Sequence, residues 1–242
     1  MQKLQVATFQ RKPLYDDVDG ILERLKFDLA WCESRNVDLA IFPECYLQGY
    51  ASDYATVARR AVTLDSVVMH ALLATTADFD MDVVLGFAEQ RVPDFYNSAA
   101  VIRGKRILGT YSKTHPNEAA FKAGQASPVF ELSSWRYGIN ICNDANFPET
   151  ALAIARNGAN LLCYPLNNML LPDVAEKWRS TSIENLQARA IDTGCWVASS
   201  DVVGSQERKV CHGCTCIVRP DGVIVAQVPE GVEGVALYDI GE

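Results

Sequence analysis

A carboxylate, an ammonium and a thiol stand at three points along this chain, each just after an apolar run. Glu44 follows Asp38–Phe42 and Pro43, Lys113 follows the run ending Gly109-Thr110-Tyr111-Ser112, and Cys142 follows Tyr137-Gly138-Ile139-Asn140-Ile141. Hydrolysis of an amide asks for such a set: a nucleophile, a group that removes its proton and redelivers it, and donors aimed at the oxygen that becomes negative. Taken singly, each residue also has a plainer use. Cysteine is often a buried structural thiol, lysine at a hairpin end is most often solvated, and a glutamate after proline is most often a loop carboxylate. Cys142 has one more local feature, because a helix is expected to begin near Pro148, and its backbone N–H groups and dipole would favour a thiolate.

Whether the three can meet depends on the elements that carry them. Leu4 to Phe9 reads as an apolar strand, and Val18 to Ser34 places Ile21, Leu22, Leu25, Leu29 and Cys32 at helical spacing. Asp38 to Phe42 reads as a short buried strand, followed by a helix over Ala58 to Ala77 and a strand over Val83 to Phe87. Strands alternating with helices indicate an α/β sheet. Tyr96 to Ile102 and Arg106 to Ser112 flank Gly104-Lys105 as a hairpin, which makes the sheet mixed. After a loop at Thr114 to Ser127 the pattern gives a strand at Tyr137 to Ile141, a helix at Pro148 to Asn157, a strand at Asn160 to Tyr164, a helix at Glu176 to Thr193 and a strand at Trp196 to Ser200. Thr215 to Val218, Val223 to Val228 and Val235 to Tyr238 close the chain, with Pro220-Asp221-Gly222 as a turn. Asn36–Pro43 echoes Gly158–Pro165, each a helix-to-strand junction ending in proline, which suggests two similar halves. In open α/β sheets the ligand crevice lies beyond the carboxyl ends of strands, where Glu44, Lys113 and Cys142 all fall. No linker or low-complexity stretch divides the 242 residues, so one domain over 1–242 is expected.

Several segments, in order, carry a resemblance. FPECYLQGY (42 to 50), GFAEQ (86 to 90) with YNSAAVI (96 to 102), GTYSKTHP (109 to 116) and YGINICNDANFPETALAIARNGANLLCYP (137 to 165) are similar to the nitrilase superfamily of carbon-nitrogen hydrolases. So are the stretch Glu184 to Val203 around Arg189-Ala190 and the closing CIVRPDGVIVA (216 to 226), so the likeness spans nearly the whole chain. It implies an αββα sandwich of two mixed sheets flanked by helices, usually paired into a larger assembly, with Glu44, Lys113 and Cys142 converging as the catalytic set and no cofactor. It further implies that Cys142 attacks the carbonyl carbon, that Lys113 and the backbone N–H of Asn143 hold the oxyanion, and that Glu44 moves the protons. The family often adds a glutamate after the lysine; Glu118 is the candidate, although the spacing to Phe121 and Gly124 is one residue tight and leaves Asn117 as the alternative. Asn143-Asp144 replaces the Trp-Glu that tends to follow the nucleophile in true nitrilases, which favours a small linear amide or N-carbamoyl amine over a nitrile. Asn167 and Asn168, within the Leu166 to Asp173 stretch expected to wall the pocket, suggest a polar substrate.

Rival readings compete for the same residues. His115 lies two residues after Lys113 and would face the same way on an extended chain, so a Cys142–His115 thiol dyad is conceivable, but it leaves Glu44 and Lys113 idle. Cys211-His212-Gly213-Cys214-Thr215-Cys216 contains a zinc-ligand spacing, yet no second pair accompanies it, and packing thiols are favoured over a metal. A silent binding or scaffold protein on the same fold would be expected to have lost one of the three residues. Net charge −8 and the absence of a basic run argue against a nucleic-acid partner. No apolar stretch reaches the roughly 18 residues a membrane span needs, and the N-terminus lacks a signal-peptide layout, so a cytoplasmic protein, with a homodimer as its default state, is expected. Most of the eight cysteines read as buried reduced thiols.

Overall fold

Along β1 (Leu4–Gln10), Leu4 and Val6 point to one face and Ala7 and Phe9 to the other, and all four are buried. A strand apolar on both faces needs cover on both, and the computed structural model, which describes residues 2–241, supplies it. One six-stranded sheet comprises β1, β2 (Leu39–Ile41), β3 (Asp82–Arg91), β4 (Asp94–Arg103), β5 (Arg106–Ser112) and β14 (Gly234–Ile240), in the order β14-β1-β2-β3-β4-β5. The second comprises β6 (Val129–Leu132), β7 (Trp135–Ile139), β8 (Leu161–Pro165), β9 (Trp196–Ser200), β12 (Cys216–Val218) and β13 (Ile224–Gln227), in the order β13-β12-β9-β8-β7-β6. A small hairpin, β10 (Gly204–Gln206) with β11 (Lys209–Cys211), stands apart from both.

Between the sheets Val6, Ile41, Val84 and Val101 meet Trp135, Tyr137, Ile139 and Leu161 in one dry layer. The Tyr137 hydroxyl, buried there, donates to Asp82 at 2.6 Å, and Arg103 forks onto the same carboxylate at 2.5 and 2.9 Å, so the polar groups in this layer are matched. On the outer face of the first sheet, α1 (Val18–Glu33) and α3 (Val67–Thr76) lay Ile21, Leu25, Leu29, Met69 and Leu72 over Phe9, Phe42 and Leu85. On the outer face of the second, α4 (Pro148–Arg156) and α5 (Pro172–Thr193) cover Leu162, Tyr164 and Val197. The result is the αββα sandwich the resemblance implied. The two echoing segments become β2 and β8, each running parallel to both of its neighbours.

Four expectations need correction. The helix over Ala58 to Ala77 is two helices, α2 (Tyr54–Arg60) and α3: Val62 leaves the helical path to bond Ala88 and Gln90 beside β3, and Ser66 then caps α3 by accepting from the Met69 N–H. The strand at Val83 runs on to Arg91, because it pairs along its whole length with β4. Helix α5 starts at Pro172 rather than Glu176, proline being well suited to a first turn where its missing N–H is no loss. Strand β6 and the β10–β11 hairpin were not anticipated. Among the described residues no helix is long and apolar enough to cross a membrane.

Candidate active site

Glu44 sits three residues past β2, with its backbone N–H on the Leu166 carbonyl of the opposite half at 3.1 Å. Its backbone rests directly on Gly86 of β3: a Cβ there would lie 2.4 Å from the Pro43 oxygen and 2.8 Å from the Glu44 Cα, so only glycine lets the two segments approach. Lys113 leaves β5 with its N–H on the Asn97 carbonyl at 2.8 Å. Its Nζ donates to Glu44 Oε1 at 2.7 Å, and both side chains are only 1% exposed. Asn97 Nδ2 donates to the same oxygen at 2.6 Å, which leaves Glu44 Oε2 buried without a partner among the described residues. Glu118 lies with Oε2 4.0 Å from the lysine Nζ; its Oε1 accepts from the Tyr50 hydroxyl, and its Oε2 is likewise unpartnered.

Cys142 opens a short 3₁₀ helix, Cys142–Asn146, with φ +43°. A side-chain-bearing residue in that region is strained by about 1–3 kcal/mol, and such strain is tolerated only where the surroundings impose it. They do so through Asp144, fully buried, which accepts from the Ile141 N–H at 2.9 Å, the Tyr111 hydroxyl at 2.7 Å and the His115 N–H at 2.8 Å. One carboxylate thereby ties the cysteine turn to the segment leaving β5. Cys142, Lys113 and Glu118 line one cavity of about 250 Å³, walled also by Asn117, Asn143, Asn167 and Asn168 and by Trp178, Ser182 and Asn185 of α5.

Electrostatics of the group are unequal. Burial alone would lower the Lys113 pKa, but Glu44 foremost, with the nearby sulfur and Asp144, raises it, so the ammonium is secure. Burial and the Glu44 charge push the Cys142 thiol well above its ordinary value; Lys113 and the Asn167 N–H pull the other way and lose. Burial and the Glu44 charge thus oppose the thiolate expected from the sequence. Its physical basis is missing, since α4 begins six residues further on and only one 3₁₀ turn starts at the sulfur. Burial, then Glu44, raises Glu118 to about 7.

Other sequence expectations resolve plainly. Glu118 and Asn117 both reach the cavity, but the carboxylate near the lysine is Glu118. The His115 ring stacks on Phe147 at 3.8 Å and is not part of the cavity wall; this residue contributes its backbone. Cys211 donates to the Val202 carbonyl at 2.9 Å, Cys216 lies 3.4 Å from the Ser199 hydroxyl, and Cys214 is buried in the packing under α5. No group of three or more metal-ligating side chains occurs among the described residues. Tyr50 lies in the Cys45 to Tyr54 loop expected to wall the pocket, whereas Asn97 and Asp144 were missed as site residues. For the α5 wall a signal existed, because Trp178, Ser182, Asn185 and Leu186 fall on one helical face.

A family model for carbon-nitrogen hydrolases matches residues 5–241. The chain belongs to the carbon-nitrogen hydrolase family. As a member it is a hydrolase acting on carbon–nitrogen bonds. It is similar to a protein of Pseudomonas protegens named "Hydrolase in pqqF 5'region", with 31% identity over 235 residues, covering 93% of this chain and 79% of that one. Among solved structures it resembles Nit3 of Saccharomyces cerevisiae, a member of branch 10 of the nitrilase superfamily, at 22% identity and TM-score 0.86, covering 98% and 90% of the two chains. It resembles equally an amidase of Nesterenkonia sp. AN1, solved with the acetamide moiety of fluoroacetamide added covalently at its active-site cysteine, at 23% identity and TM-score 0.85, covering 98% and 90%.

Proposed function

We propose that this carbon-nitrogen hydrolase cleaves a small linear amide or N-carbamoyl amine through a thioester on Cys142, with Glu44 and Lys113 completing the catalytic set. The observation that carries the reading is the fully buried Lys113–Glu44 pair at 2.7 Å, bordering the cavity that Cys142 enters on a strained turn. Glu44 Oε2, free of hydrogen-bond partners among the described residues, takes the thiol proton as the sulfur attacks the carbonyl carbon. The resulting oxyanion sits between the Lys113 ammonium and the Asn143 N–H, which near the start of its helix has no acceptor within it. Glu44 then protonates the departing nitrogen, the C–N bond breaks, and a thioester remains. Water, deprotonated by Glu44, cleaves the thioester and the sulfur regains its proton. On this reading the Oε2 of Glu118, without a hydrogen-bond partner among the described residues, accepts from the substrate's N–H. The eight free cysteines support a cytoplasmic setting, and a homodimer remains the expected assembly.

Ammonia release over aliphatic amides, ω-amides and carbamoyl amines, with intact-mass detection of the acyl adduct on Cys142, tests the reading. Lys113→Met is expected to cost at least the roughly 2.7–4 kcal/mol of a lost oxyanion donor, a factor of about 100–1,000. Absence of both ammonia release and adduct across the panel would instead favour a silent scaffold.

A further inference from the structure

Four of the amides in the cavity wall, Asn143, Asn146, Asn185 and Asn168, have a fixed direction, and that direction bears on what the substrate carries. Asn143 Nδ2 donates to the His115 carbonyl at 2.8 Å. A carbonyl can only accept, so the Asn143 oxygen must be the acceptor for Asn146 Nδ2 at 2.8 Å, and the Asn146 oxygen in turn the acceptor for Asn185 Nδ2 at 2.6 Å. The end left over is the Asn185 oxygen. Asn168 is oriented the same way, because its Nδ2 donates to the buried Asp201 carboxylate at 2.8 Å and its own oxygen is left. With the Oε2 of Glu118, which has no hydrogen-bond partner among the described residues, these oxygens offer three acceptors to a ligand, whereas the Asn167 oxygen is taken by the Met169 N–H at 3.3 Å.

Among the described residues the one cation lining the cavity, Lys113, is committed. Lys113 is paired with Glu44, and Arg179, beyond Trp178, is held by Glu230 and by Glu176 at 3.3 Å. Arg59 and Arg60 lie in a separate recess behind Tyr50, both on Asp16, and Lys209 shares that recess. From these observations, and resting on the amide-hydrolase reading above, we infer that the part of the substrate remote from the scissile bond carries hydrogen-bond donors (hydroxyl, carboxamide or ammonium) and no carboxylate.

Four amides of matched length test this: 4-hydroxybutanamide, 4-aminobutanamide, pentanamide and succinamate. The two donor-bearing amides are expected to exceed pentanamide in kcat/KM by about tenfold, as one or two hydrogen bonds allow. Succinamate, which would bury an unpaired carboxylate, is expected to fall roughly 100-fold or more below them. Calorimetric binding of the four compounds to the Cys142→Ala protein should give the same ranking, and this reading does not depend on turnover. Total inactivity with the ranking preserved in binding would overturn the proposed function and leave the inference standing. Succinamate binding or reacting as well as 4-hydroxybutanamide would overturn the inference, as would equal binding of all four. In Asn185→Leu the advantage of the donor-bearing amides over pentanamide, measured on one protein, should collapse; its survival would also count against the inference.

Discussion

Asp144→Asn keeps the shape of the side chain and removes only its charge and one acceptor. The carboxylate receives three donors from two directions: Ile141 N–H and the Tyr111 hydroxyl on Oδ2, His115 N–H on Oδ1. An asparagine must aim its NH₂ at one side. Facing it toward Oδ2 would oppose two donors, so it turns toward His115 and opposes one, leaving a buried N–H against a buried NH₂. An orphaned buried donor costs about 1–3 kcal/mol, and reducing the other two bonds from charge-assisted to neutral costs about 1 kcal/mol each. The expected loss is therefore about 3–5 kcal/mol, which a domain with about 5–15 kcal/mol of stability survives. The variant should fold, and its midpoint in urea should drop accordingly. Activity should suffer separately, because Ile141 precedes Cys142 and His115 follows Lys113 by two: releasing either shifts the sulfur relative to the ammonium, and a misplacement near 1 Å costs about 100-fold in rate. On the proposed reading kcat falls while KM for the amide stays near the parent's. A variant within about 1 kcal/mol of the parent in stability, with kcat within threefold, would refute the assignment of Asp144 as the tie between the two segments.

A second expectation concerns pH. Glu118 is raised from 4.5 to about 7, so its contribution to stability is full below pH 4.5 and disappears as pH rises to 7. At 1.36 kcal/mol per pKa unit this is about 3 kcal/mol, and Glu118→Gln should flatten the fall in urea stability over that window, while Asp201, raised to about 6, keeps part of the slope at its lower end. Equal slopes in the two proteins would contradict it. Gly86→Ala drives a methyl to within 2.4 Å of the Pro43 oxygen and should lower stability by about 1–3 kcal/mol while cutting kcat through displacement of Glu44; unchanged kinetics would show that the strand tolerates the methyl elsewhere. His115→Ala removes a ring stacked on Phe147 and should leave kcat/KM within about tenfold, whereas a thiol–imidazole dyad would lose nearly all activity.

The fold was legible wherever burial left a periodic trace. Ile21, Leu25, Leu29 and Cys32 marked α1, and the runs before Glu44 and Lys113 marked β2 and β5, because packing against a sheet imposes those spacings. Where a backbone bond outbid local pattern, reading failed: Val62 sits in a helical-looking stretch but bonds beside β3, and β6, four residues of which only Phe130 is buried, is too short to show a period. The candidate site divides in the same way. Glu44, Lys113 and Cys142 were legible from their place at strand ends and from family likeness. Asp144 and Asn97 were not, since a buried carboxylate or amide is defined by donors from distant segments, Tyr111 and His115 for one and Glu44 for the other, that no local spacing announces.

The high proton affinity of Cys142 becomes intelligible once charges are summed across the site. At rest one ammonium, Lys113, faces one carboxylate, Glu44, and ionising the sulfur into solvent would leave a second buried negative charge beside that pair, which the surroundings resist. Passing the same proton to Glu44 leaves the total unchanged. On the proposed reading the negative charge then moves from the carboxylate to the sulfur and on to the substrate oxygen, always within reach of the one ammonium. On that reading proton transfer and attack are coupled: what must be lowered is the energy of the charge's final position, at Lys113 and the Asn143 N–H, while burial and the neighbouring Glu44 charge hold the proton on the sulfur until the substrate arrives.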